Sequence, residues 1–405
     1  MINLLLSVII IICVVLIIYH HIGYPLFLKW AQPAHAASEA PIEPRQYTSR
    51  VSDQALPTIT LIIPAYNEQQ WITDKLLNCA ALDYPSEKLN VIVAVDGGTD
   101  NTLVLAQQMT QEKSCLGLNL EIREFKKNRG KVAVLNDVIN TVDTELVALS
   151  DVSALISLDA LLIAAAQFTN QRLGVLNSHY CLLEPGSEGE ASYWQYQSKI
   201  KIAESSFGST LGAHGAFYLF RRKLFQPLAG DTINDDFILP MQIVANGYIA
   251  KQDNRIVSLE LEQANNSMDW QRRVRIAAGN MQQVLRLKRM LHPHFKGIAF
   301  TFASGKALRV AMPFLMLIAL IGSISLATYS VVFLLLAIGQ VSLYLLASIQ
   351  LVLKFDNKLL NVLVYLVSGH VAGIMGALTY LLNGSKKPWK PVNSTASLKE
   401  NNHEK

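Results

Sequence analysis

Three apolar stretches of this chain each end in side chains that could bind a ligand. In chain order, the groups are Asn67 and Glu68 after residues 58–65, Asp96 after residues 91–95, and Asp151 after residues 146–149. Short apolar runs that stop at polar residues are typical of buried β-strands. Ligands of open α/β sheets collect beyond the carboxyl ends of the strands, so we expect these side chains at one edge of a sheet. An Asp there suits a hard cation, Mg²⁺ or Mn²⁺, held against a phosphate.

A basic loop, residues 126–131 (KKNRGK), is predicted to face the same edge. It follows another predicted strand, 120–125, and leads into a helix with an apolar inner side between Val134 and Val142. Helix N-termini and lysines attract phosphate, whereas carboxylates face a phosphate favourably only when a metal bridges them. Sugar and base edges also need carboxylate acceptors. The combination therefore predicts a nucleotide that carries a diphosphate.

Each of these residues also has a purely structural explanation. Asp151 could cap a helix that begins near Leu158, Glu68 could be a first-turn acid, and Asp96 could serve turn chemistry. Lys131 could be a solvated surface lysine. These explanations are compatible with ligand binding, and the residue types alone leave both open.

The elements that must position these groups alternate between strands and helices. This spacing predicts a parallel, doubly wound α/β sheet. Asn67 is a plausible N-cap for the helix that follows the first strand. The apolar stripe expected on that helix consists of Ile72, Leu76, Leu77 and Ala80.

The composition indicates a globular body between membrane anchors. The chain has 405 residues and is 51% hydrophobic, and its apolar residues are concentrated in 4–18 and in most of 310–382. A net charge of +4 excludes nucleic acid as an expected partner. The four cysteines show no metal-binding spacing and fit a reducing compartment.

Six segments follow from this pattern: 1–22, a transmembrane anchor; 23–56, a linker; 57–262, the α/β domain; 263–306, an amphipathic interface region; 307–383, the C-terminal spans; and 384–405, a polar tail. A cleaved signal peptide ending at Ala34-His35-Ala36 is the alternative for the first segment, but the sequence lacks the basic start of such a peptide. The basic residues that follow the anchor, Lys29, Arg45 and Arg50, place the body in the cytoplasm.

The C-terminal spans are predicted at roughly 310–329, 331–353 and 359–382. Four crossings would place Lys386, Lys387 and Lys390 outside, against the positive-inside tendency. Either one segment is interfacial or re-entrant, or the tendency fails here.

Eight strings of the chain, in order, resemble the family 2 glycosyltransferases with a GT-A fold. They are LIIPAYNE, VDGGTDNT, NRGKVAVLN, SDVSAL, YWQYQ, GAHGAFYLFRR, NDDFILP and RRVRIAAGN. SGKALR at 304–309 and the flanking spans extend the likeness. The resemblance implies a GT-A domain, a nucleotide-sugar donor, a lipid-linked or polysaccharide acceptor, and Mg²⁺ or Mn²⁺. It also implies polysaccharide biosynthesis at a cell inner membrane, with other polysaccharide-synthesis proteins as potential partners.

The resemblance assigns most donor contacts to the strand ends. It implies that the donor is bound by Pro64, Tyr66, Glu68, Asp96, Lys131 and Asp151. Asp151 matches the first acid of the family's DxD metal motif, and Ser153 replaces the second. A hydroxyl is a weaker ligand than a carboxylate, so we expect the cation to bind mainly through Asp151, the diphosphate and water.

The resemblance places the chemistry near residue 236. Asp236 matches the family's catalytic base, which takes the proton of the acceptor hydroxyl. Its neighbour Asp235 is expected to share the site, although helix capping is the favoured explanation for it. His214 matches the acceptor floor, with a structural role as the commoner explanation for a lone His.

Residues 270–276 stand where processive relatives carry QxxRW. Arg275-Ile276 replaces Arg-Trp, and Arg272 replaces the Gln. The missing tryptophan argues against processive synthesis. Arg272 and Arg275 are expected to contact acceptor or diphosphate, and the basic amphipathic helix that carries them is expected on the anionic inner leaflet.

These patterns predict a membrane-bound inverting glycosyltransferase that uses a nucleotide-diphosphate sugar, with UDP as the expected nucleotide. The alternative is a catalytically silent subunit that regulates a polysaccharide synthase, favoured by Ser153 and the missing tryptophan. A transporter is disfavoured, because the spans carry few polar groups that could line a path.

Overall fold

The computed structural model describes residues 1–31, 45–185, 188–262 and 266–384. The possible cleavage site at 34–36, residues 32–44 of the predicted linker, and the lysines at 386, 387 and 390 lie outside these residues. So does the predicted polar tail after residue 384.

An eight-stranded mixed sheet forms the centre of the described globular domain, in the order β3-β2-β1-β4-β7-β6-β8-β5. The strands are β1 Ile59–Ala65, β2 Leu89–Asp96, β3 Asn119–Phe125, β4 Leu146–Ser150, β5 Ala154–Ile156, β6 Leu173–Leu182, β7 Phe217–Arg221 and β8 Ile249–Glu260. The first four strands pair in parallel, and β7 pairs antiparallel with both β4 and β6. The predicted GT-A architecture, with a mixed and largely parallel sheet, is confirmed.

Helices cover both faces of the sheet. The helices are α1 Ile2–Ile18, α2 Tyr24–Ala31, α3 Ile72–Ala80, α4 Thr102–Met109, α5 Lys131–Asn140, α6 Ala160–Gln167, α7 Glu188–Ser205, α8 Asp235–Ala245, α9 Asn266–Arg286, α10 Gly297–Thr301, α11 Leu308–Leu326, α12 Val331–Leu353 and α13 Lys358–Asn383. Alternate residues of β1 enter different cores: Leu61 and Ile63 join one apolar cluster, and Ile62 joins the other. Because a strand buried on both faces needs apolar residues throughout, β1 has no polar alternation.

Four helical segments of the described chain are long and apolar enough to cross a membrane: Ile2–Ala31, Gly297–Leu326, Val331–Leu353 and Lys358–Asn383. The first continues through a π-helical segment, Tyr19–Gly23, and so extends beyond residue 22, where the anchor was predicted to end. The second contains another π-helical segment, Phe302–Ala307, and begins before the predicted span.

The spanning helices pack on one another and on the globular domain. A Cβ at Gly322 of α11 would lie 2.7 Å from Ile10 Cγ1 of α1. A Cβ at Gly376 of α13 would lie 2.4 Å from the Val274 carbonyl oxygen of α9. Helix α9, expected on the leaflet surface, therefore packs tightly against a spanning helix through a glycine contact, and its contact with lipid stays a prediction.

The end of the linker is fixed to the domain. Arg45, expected among the charges that flank the anchor, is buried and pairs with Asp53 at 2.9 Å and Asp83 at 3.1 Å. Arg45 therefore takes part in an internal ion network, in addition to any effect that its charge has on the orientation of the chain in the membrane.

Candidate active site

The loop after β1 is tied to the loop after β2 by Asn67. Asn67 has a φ of +56°, and its Oδ1 accepts a hydrogen bond of 2.8 Å from the Thr99 backbone N–H. The prediction that Asn67 caps α3 is wrong, because that helix begins at Ile72 after Trp71. Asn tolerates left-handed backbone and readily bonds to nearby loops, which explains its use here.

Asp96 holds the basic loop in place. Its carboxylate accepts hydrogen bonds from the backbone N–H groups of Arg129 (2.9 Å) and Gly130 (2.8 Å). Gly97 has a φ of +65°, and a Cβ there would lie 2.4 Å from the Asn128 backbone nitrogen, so only glycine permits this approach. The nucleoside contact expected of Asp96 stays a prediction. What Asp96 does here is position residues 128–130.

The remaining donor-side residues lie along the same edge. Pro64 is in register with Ala94 of β2, and Tyr66 and Glu68 follow β1 as half-buried residues. Asp100 stabilises the adjoining turns, because it accepts hydrogen bonds from the Gln69 N–H and from the Thr102 hydroxyl.

Lys131 and Asp151 form an ion pair at the centre of the edge. Lys131 Nζ lies 2.8 Å from Asp151 Oδ1 and 3.8 Å from Asp235 Oδ2. Their side chains remain 36% and 37% exposed, so both can reach a ligand. Burial disfavours the charged lysine, but Asp151, Asp235 and Asp236 together raise the pKa of Lys131 above its ordinary value. Lys131 is therefore a permanent cation among acids.

Gly215 marks the point at which three predicted groups converge. A Cβ built on Gly215 would lie 3.1 Å from Asp151 Oδ2, 3.7 Å from Asp236 Oδ2 and 3.8 Å from Lys131 Nζ. These groups come from the end of β4, the start of α8 and the start of α5. Because residue 215 has no side chain, the space between them stays open to a ligand.

Asp235 and Asp236 open helix α8. Asn234 occupies the N-cap and Asp235 is the first helical residue, so the favoured capping explanation for Asp235 is wrong. Its buried Oδ2 has no hydrogen-bond partner within the described part of the chain. Burial and the neighbouring Asp235 raise the pKa of Asp236 to about 6, although Lys131 and Lys201 oppose the rise. A carboxylate with such a pKa is suited to accept a proton near neutral pH.

Ser153 has an acidic partner that the sequence did not reveal. Its hydroxyl donates a hydrogen bond to Glu260 at the end of β8. Burial, helped by the nearby acids Glu262 and Asp151, raises the pKa of Glu68 to about 8. The acids at this edge are thus in excess of cations, which suits a divalent ion.

The described residues do not supply a complete metal-binding cage. Within those ranges, no group of three His, Cys, Asp or Glu side chains could hold a metal ion. The expectation that Asp151 contributes one carboxylate, and that a cation takes further ligands from a diphosphate and water, stays a prediction. The residues present fit such a partial site.

Lys75, which the sequence reasoning missed, lies beneath the Asp151 loop. It is fully buried in α3 and donates hydrogen bonds to Ser150 Oγ (2.6 Å) and to the Ala154 carbonyl oxygen (2.5 Å). These acceptors flank both Asp151 and Ser153. Lys75 therefore fixes the two ends of the loop that carries them.

His214 belongs to an aromatic cluster. Its ring stacks on Tyr180 at 3.7 Å and meets the edge of Trp194 at 5.0 Å. Its Nδ1 accepts a hydrogen bond from the Ala216 N–H. Burial, followed by the charges of Lys201 and Arg272, lowers the pKa of His214 well below 6.5. His214 is thus a neutral wall residue, consistent with the predicted acceptor floor, whose role stays a prediction.

Helix α9 brings arginines to the site. Arg275 is within electrostatic reach of Asp236, Asp235 and Asp151, and Arg272 is within reach of Glu260. Arg273 points elsewhere: its guanidinium lies 3.9 Å from the Tyr365 ring centroid on α13. The basic face of α9 is therefore divided between the site and the spanning helices.

The described domain has a fold of the GT-A type, and acids and a lysine converge at the edge of its sheet. Residues 60–228 match the family model described as glycosyl transferase family 2. Within the globular domain, these residues are therefore similar to glycosyl transferase family 2. The match ends before Asp235 and Asp236, so the roles of these two acids rest on geometry and on the resemblance.

Curated relatives include the poly-beta-1,6-N-acetyl-D-glucosamine synthases of Staphylococcus aureus and Staphylococcus epidermidis. Both are 26% identical to this chain, over 239 and 241 residues respectively. The alignments cover 57% and 58% of this chain and 56% and 57% of the relatives, so the chain spans little more than half the length of the curated relatives that it matches.

A solved structure extends the likeness in fold. The mannosyltransferase PcManGT from Pyrobaculum calidifontis, in complex with GDP-Man and Mn²⁺, has a TM-score of 0.66 and 23% sequence identity to this chain. The superposition covers 90% of this chain and 99% of that chain. At this identity the likeness shows the fold alone.

Proposed function

We propose that this protein is a membrane-bound inverting glycosyltransferase that moves a sugar from a nucleotide diphosphate to a lipid-linked or growing polysaccharide acceptor at the inner leaflet. The convergence of Asp151, Asp236 and Lys131 around Gly215 carries this proposal. It brings a base, a cation and a metal-binding carboxylate to one open space. The four apolar helices support membrane anchoring, and the cytoplasmic position of the domain is part of the proposal.

The proposed reaction is a single displacement. Asp236 takes the proton of an acceptor hydroxyl while that oxygen bonds to the anomeric carbon of the donor sugar. The bond from the anomeric carbon to the phosphate oxygen breaks, and the nucleoside diphosphate leaves with the electron pair. Attack from the face opposite the leaving group inverts the anomeric configuration.

The leaving diphosphate is stabilised on the opposite side of the cleft. Lys131 places its permanent charge where negative charge develops. Mg²⁺ or Mn²⁺, held by Asp151 with Ser153 beside it, would add Lewis-acid stabilisation of the diphosphate. Asp96 contributes by ordering residues 128–130, which precede Lys131.

UDP is the nucleotide proposed for the donor, and N-acetylglucosamine is the first sugar to test. The second choice follows from the printed names of the two staphylococcal relatives. Trp194 and Tyr180, which flank His214, offer an aromatic surface on which an acceptor sugar could stack.

The deciding experiment measures nucleoside diphosphate release. Purified protein, in detergent or nanodiscs, is incubated with a panel of nucleotide sugars, Mg²⁺ or Mn²⁺, and lipid extract. We expect release with one donor, loss of release in Asp236→Asn, and retention in Asp159→Asn, an exposed carboxylate at the start of α6. Absence of release with every donor, beside an active control enzyme, would overturn the proposal.

The alternative is a catalytically silent subunit, which the serine at position 153 favours. The two functions separate in a strain that lacks this protein. If Asp236→Asn restores glycan production there as well as the wild type does, the protein acts as a regulatory subunit.

A further inference from the structure

A group of three cations lies on the membrane side of Asp236, opposite the metal-binding edge. We call Lys201, Lys306 and Arg309 the cation cluster. Lys306 Nζ lies 3.9 Å from the ring centroid of Phe237, next to the candidate base, and donates a hydrogen bond to Asn280 Oδ1 at 2.8 Å. Arg309 donates to Gln197 Oε1 of α7, one turn from Lys201. The charges of Lys201 and Arg309 both act on Lys306.

The cluster contains more cationic than acidic side chains. Its own acid is Glu204, whose Oε1 accepts a hydrogen bond of 2.8 Å from Tyr24 OH of the N-terminal anchor. Burial raises the pKa of Glu204, which favours its neutral form, and burial lowers the pKa of Lys201. Asp236 is also within reach of the cluster, but Lys131 on the donor side already opposes its charge. Because cations are costly to place in a low-dielectric environment without anions, their concentration here points to a bound anion.

The backbone around the cluster is irregular in two places that touch. The π-helical segments Tyr19–Gly23 and Phe302–Ala307 meet through a 2.8 Å hydrogen bond between Tyr19 OH and Ser304 Oγ. His20 Nδ1 also lies 3.1 Å from the Ser304 carbonyl oxygen. π-Helical bulges are rare and are frequent at functional sites.

Gly305, in the second π-helical segment, lets the helix approach the cluster. A Cβ there would lie 2.5 Å from Glu204 Oε1 and 2.9 Å from Tyr24 OH. The segment 304–306 (SGK) thus brings the anchor, α7 and the second span together and places Lys306 beside the base. These residues belong to the SGKALR string that extends the family resemblance, and in the structure they place Lys306 beside Asp236.

An apolar surface continues from the cluster toward the membrane. Tyr24, Leu28, Ile200 and Ala203 form a buried patch against which Phe207 and Phe300 pack. Further along α2, Leu26 and Trp30 are 60% and 82% exposed. A ligand that combines an anionic group with a hydrocarbon chain fits this succession of cations and apolar surface.

We propose that the cation cluster is an acceptor subsite for the phosphate of a lipid phosphate, whose hydrocarbon chain lies along α2. A phosphate offers several acceptor oxygens to three converging cationic donors, and charge-assisted hydrogen bonds of this kind are the strong ones. This inference rests on the proposed glycosyltransferase function and specifies its acceptor. Lys201, Lys306 and Arg309 bind the acceptor, and Asp236 activates it.

Binding and turnover are measured separately to test the subsite. Purified protein in detergent is titrated with a short-chain polyprenyl phosphate, the matching polyprenol, or inorganic phosphate, without donor. We expect the polyprenyl phosphate to bind more tightly than either of the other two. If polyprenyl phosphate and polyprenol bind equally well, the cation cluster is not an anion site. If inorganic phosphate binds as tightly as polyprenyl phosphate, the hydrocarbon chain does not contribute and the lipid part of the proposal is wrong.

The variants are Lys306→Gln, Arg309→Gln and Lys201→Gln, with the exposed Lys288→Gln as the matched control. Loss of a buried charged hydrogen bond should weaken polyprenyl phosphate binding by about thirtyfold or more, with polyprenol binding unchanged. Lys288→Gln should behave as the wild type. Nucleotide binding identifies variants that remain folded, and Lys201→Gln, on α7, tests the subsite if the two spanning-helix variants misfold.

Turnover then separates failure of the subsite from failure of the enzyme. With donor present, the folded cluster variants should show a raised KM for polyprenyl phosphate and an unchanged KM for the donor. If the protein transfers sugar to neutral acceptors and the three variants have no effect, the subsite is wrong but the proposed glycosyltransferase function is retained. Tight binding of polyprenyl phosphate without turnover of any donor overturns the enzyme function, while the binding subsite stands.

Discussion

The loops after the parallel strands and the helices that meet the membrane line two sides of one cleft, but they place their charges differently. On the strand side, Asp96 and Asp100 accept hydrogen bonds from backbone N–H groups, so these acids order the loops around them. On the membrane side, Lys201, Lys306 and Arg309 outnumber the acid among them, Glu204. The strand side is thus pre-organised by its own hydrogen bonds. The membrane side has more cationic than acidic side chains, and an anionic ligand could neutralise the difference.

This difference separates two kinds of substitution. Changes on the strand side should alter donor and metal binding together with loop order. Changes near the membrane should alter acceptor binding alone. Asp236 lies between the two sides. Its substitution should lower turnover without changing donor, metal or acceptor binding.

The largest effect is expected for Asp236→Asn. Loss of a general base lowers kcat by about 10²–10⁴-fold, with donor affinity retained. Since the pKa of Asp236 is raised to about 6, the wild-type kcat should fall as the pH drops through that value and the base becomes protonated. The pH profile of kcat for Asp236→Asn should lack this acidic limb, which is the fall in kcat at low pH. A variant that keeps both its rate and the acidic limb would assign the base elsewhere.

Metal binding gives the next largest effect. Asp151→Asn should abolish metal-dependent donor binding, and in the wild type metal and nucleotide should each raise the affinity of the other by the same factor. Ser153→Asp should tighten metal binding without nucleotide and reduce this mutual enhancement. Calorimetry on detergent-solubilised protein measures all four states. Equal metal affinity with and without nucleotide would falsify the site at Asp151.

The contact between Ser153 and Glu260 sharpens that experiment. An Asp at position 153 would lie beside Glu260, and the like charges would oppose each other. Adding Glu260→Gln to Ser153→Asp should therefore increase the gain in metal affinity. The single variant Glu260→Gln is the matched control.

Lys75→Met tests how the strand side is supported. It leaves Ser150 Oγ and the Ala154 carbonyl without their lysine donor, which should lower the free energy of unfolding by about 1–3 kcal/mol. The exposed Lys113→Met should have little effect.

The pH dependence of stability provides a second measure of Lys75. Burial lowers the pKa of Lys75 to about 8 from the ordinary 10.5, so between these values the unfolded chain binds more protons at this residue than the folded chain does. The contribution of Lys75 therefore makes stability rise with pH across that window. Thermal unfolding in metal-free detergent solution should show this slope in the wild type and lose it in Lys75→Met.

The smallest effect is expected for Gly215→Ala. A methyl group 3.1 Å from Asp151 Oδ2 must displace that carboxylate slightly, so turnover should fall by about tenfold while the fold stays intact. Gly230→Ala is the control, since a Cβ there meets nothing within 4 Å. Unchanged turnover in Gly215→Ala would mean that the reacting groups lie elsewhere.

The parallel half of the fold could be predicted because its signals are local. Each of the first strands is a short apolar run with a polar end, and parallel pairing follows from the alternation with helices. Helix α3 shows the limit of such signals. Leu77, expected in its apolar stripe, is 40% exposed, whereas Lys75 is fully buried. A lysine is placed on the solvent side by default, and only the carbonyl and hydroxyl supplied by a later strand reverse this.

The contacts between distant segments of the chain could not be predicted in the same way. Glu260 reaches Ser153 because β8 pairs with β5, a contact between distant parts of the chain. Asp235 appeared to be a cap because acids favour helix starts, but Asn234 occupies that position. The cation cluster draws its residues from α7 and from a spanning helix. No periodicity within either segment indicates that the two meet.

The contact at Gly376 connects the lipid environment to the chemistry. Helix α13 cannot rotate or shift far without separating from α9 near Val274, one residue from Arg275. A spanning helix adjusts its tilt to the thickness of the hydrocarbon layer. We therefore expect bilayer thickness to affect the position of Arg275, for which a contact with acceptor or diphosphate is predicted. If the proposed activity is present, its rate in nanodiscs should vary with acyl-chain length, because the lipid would then act on the protein mechanically.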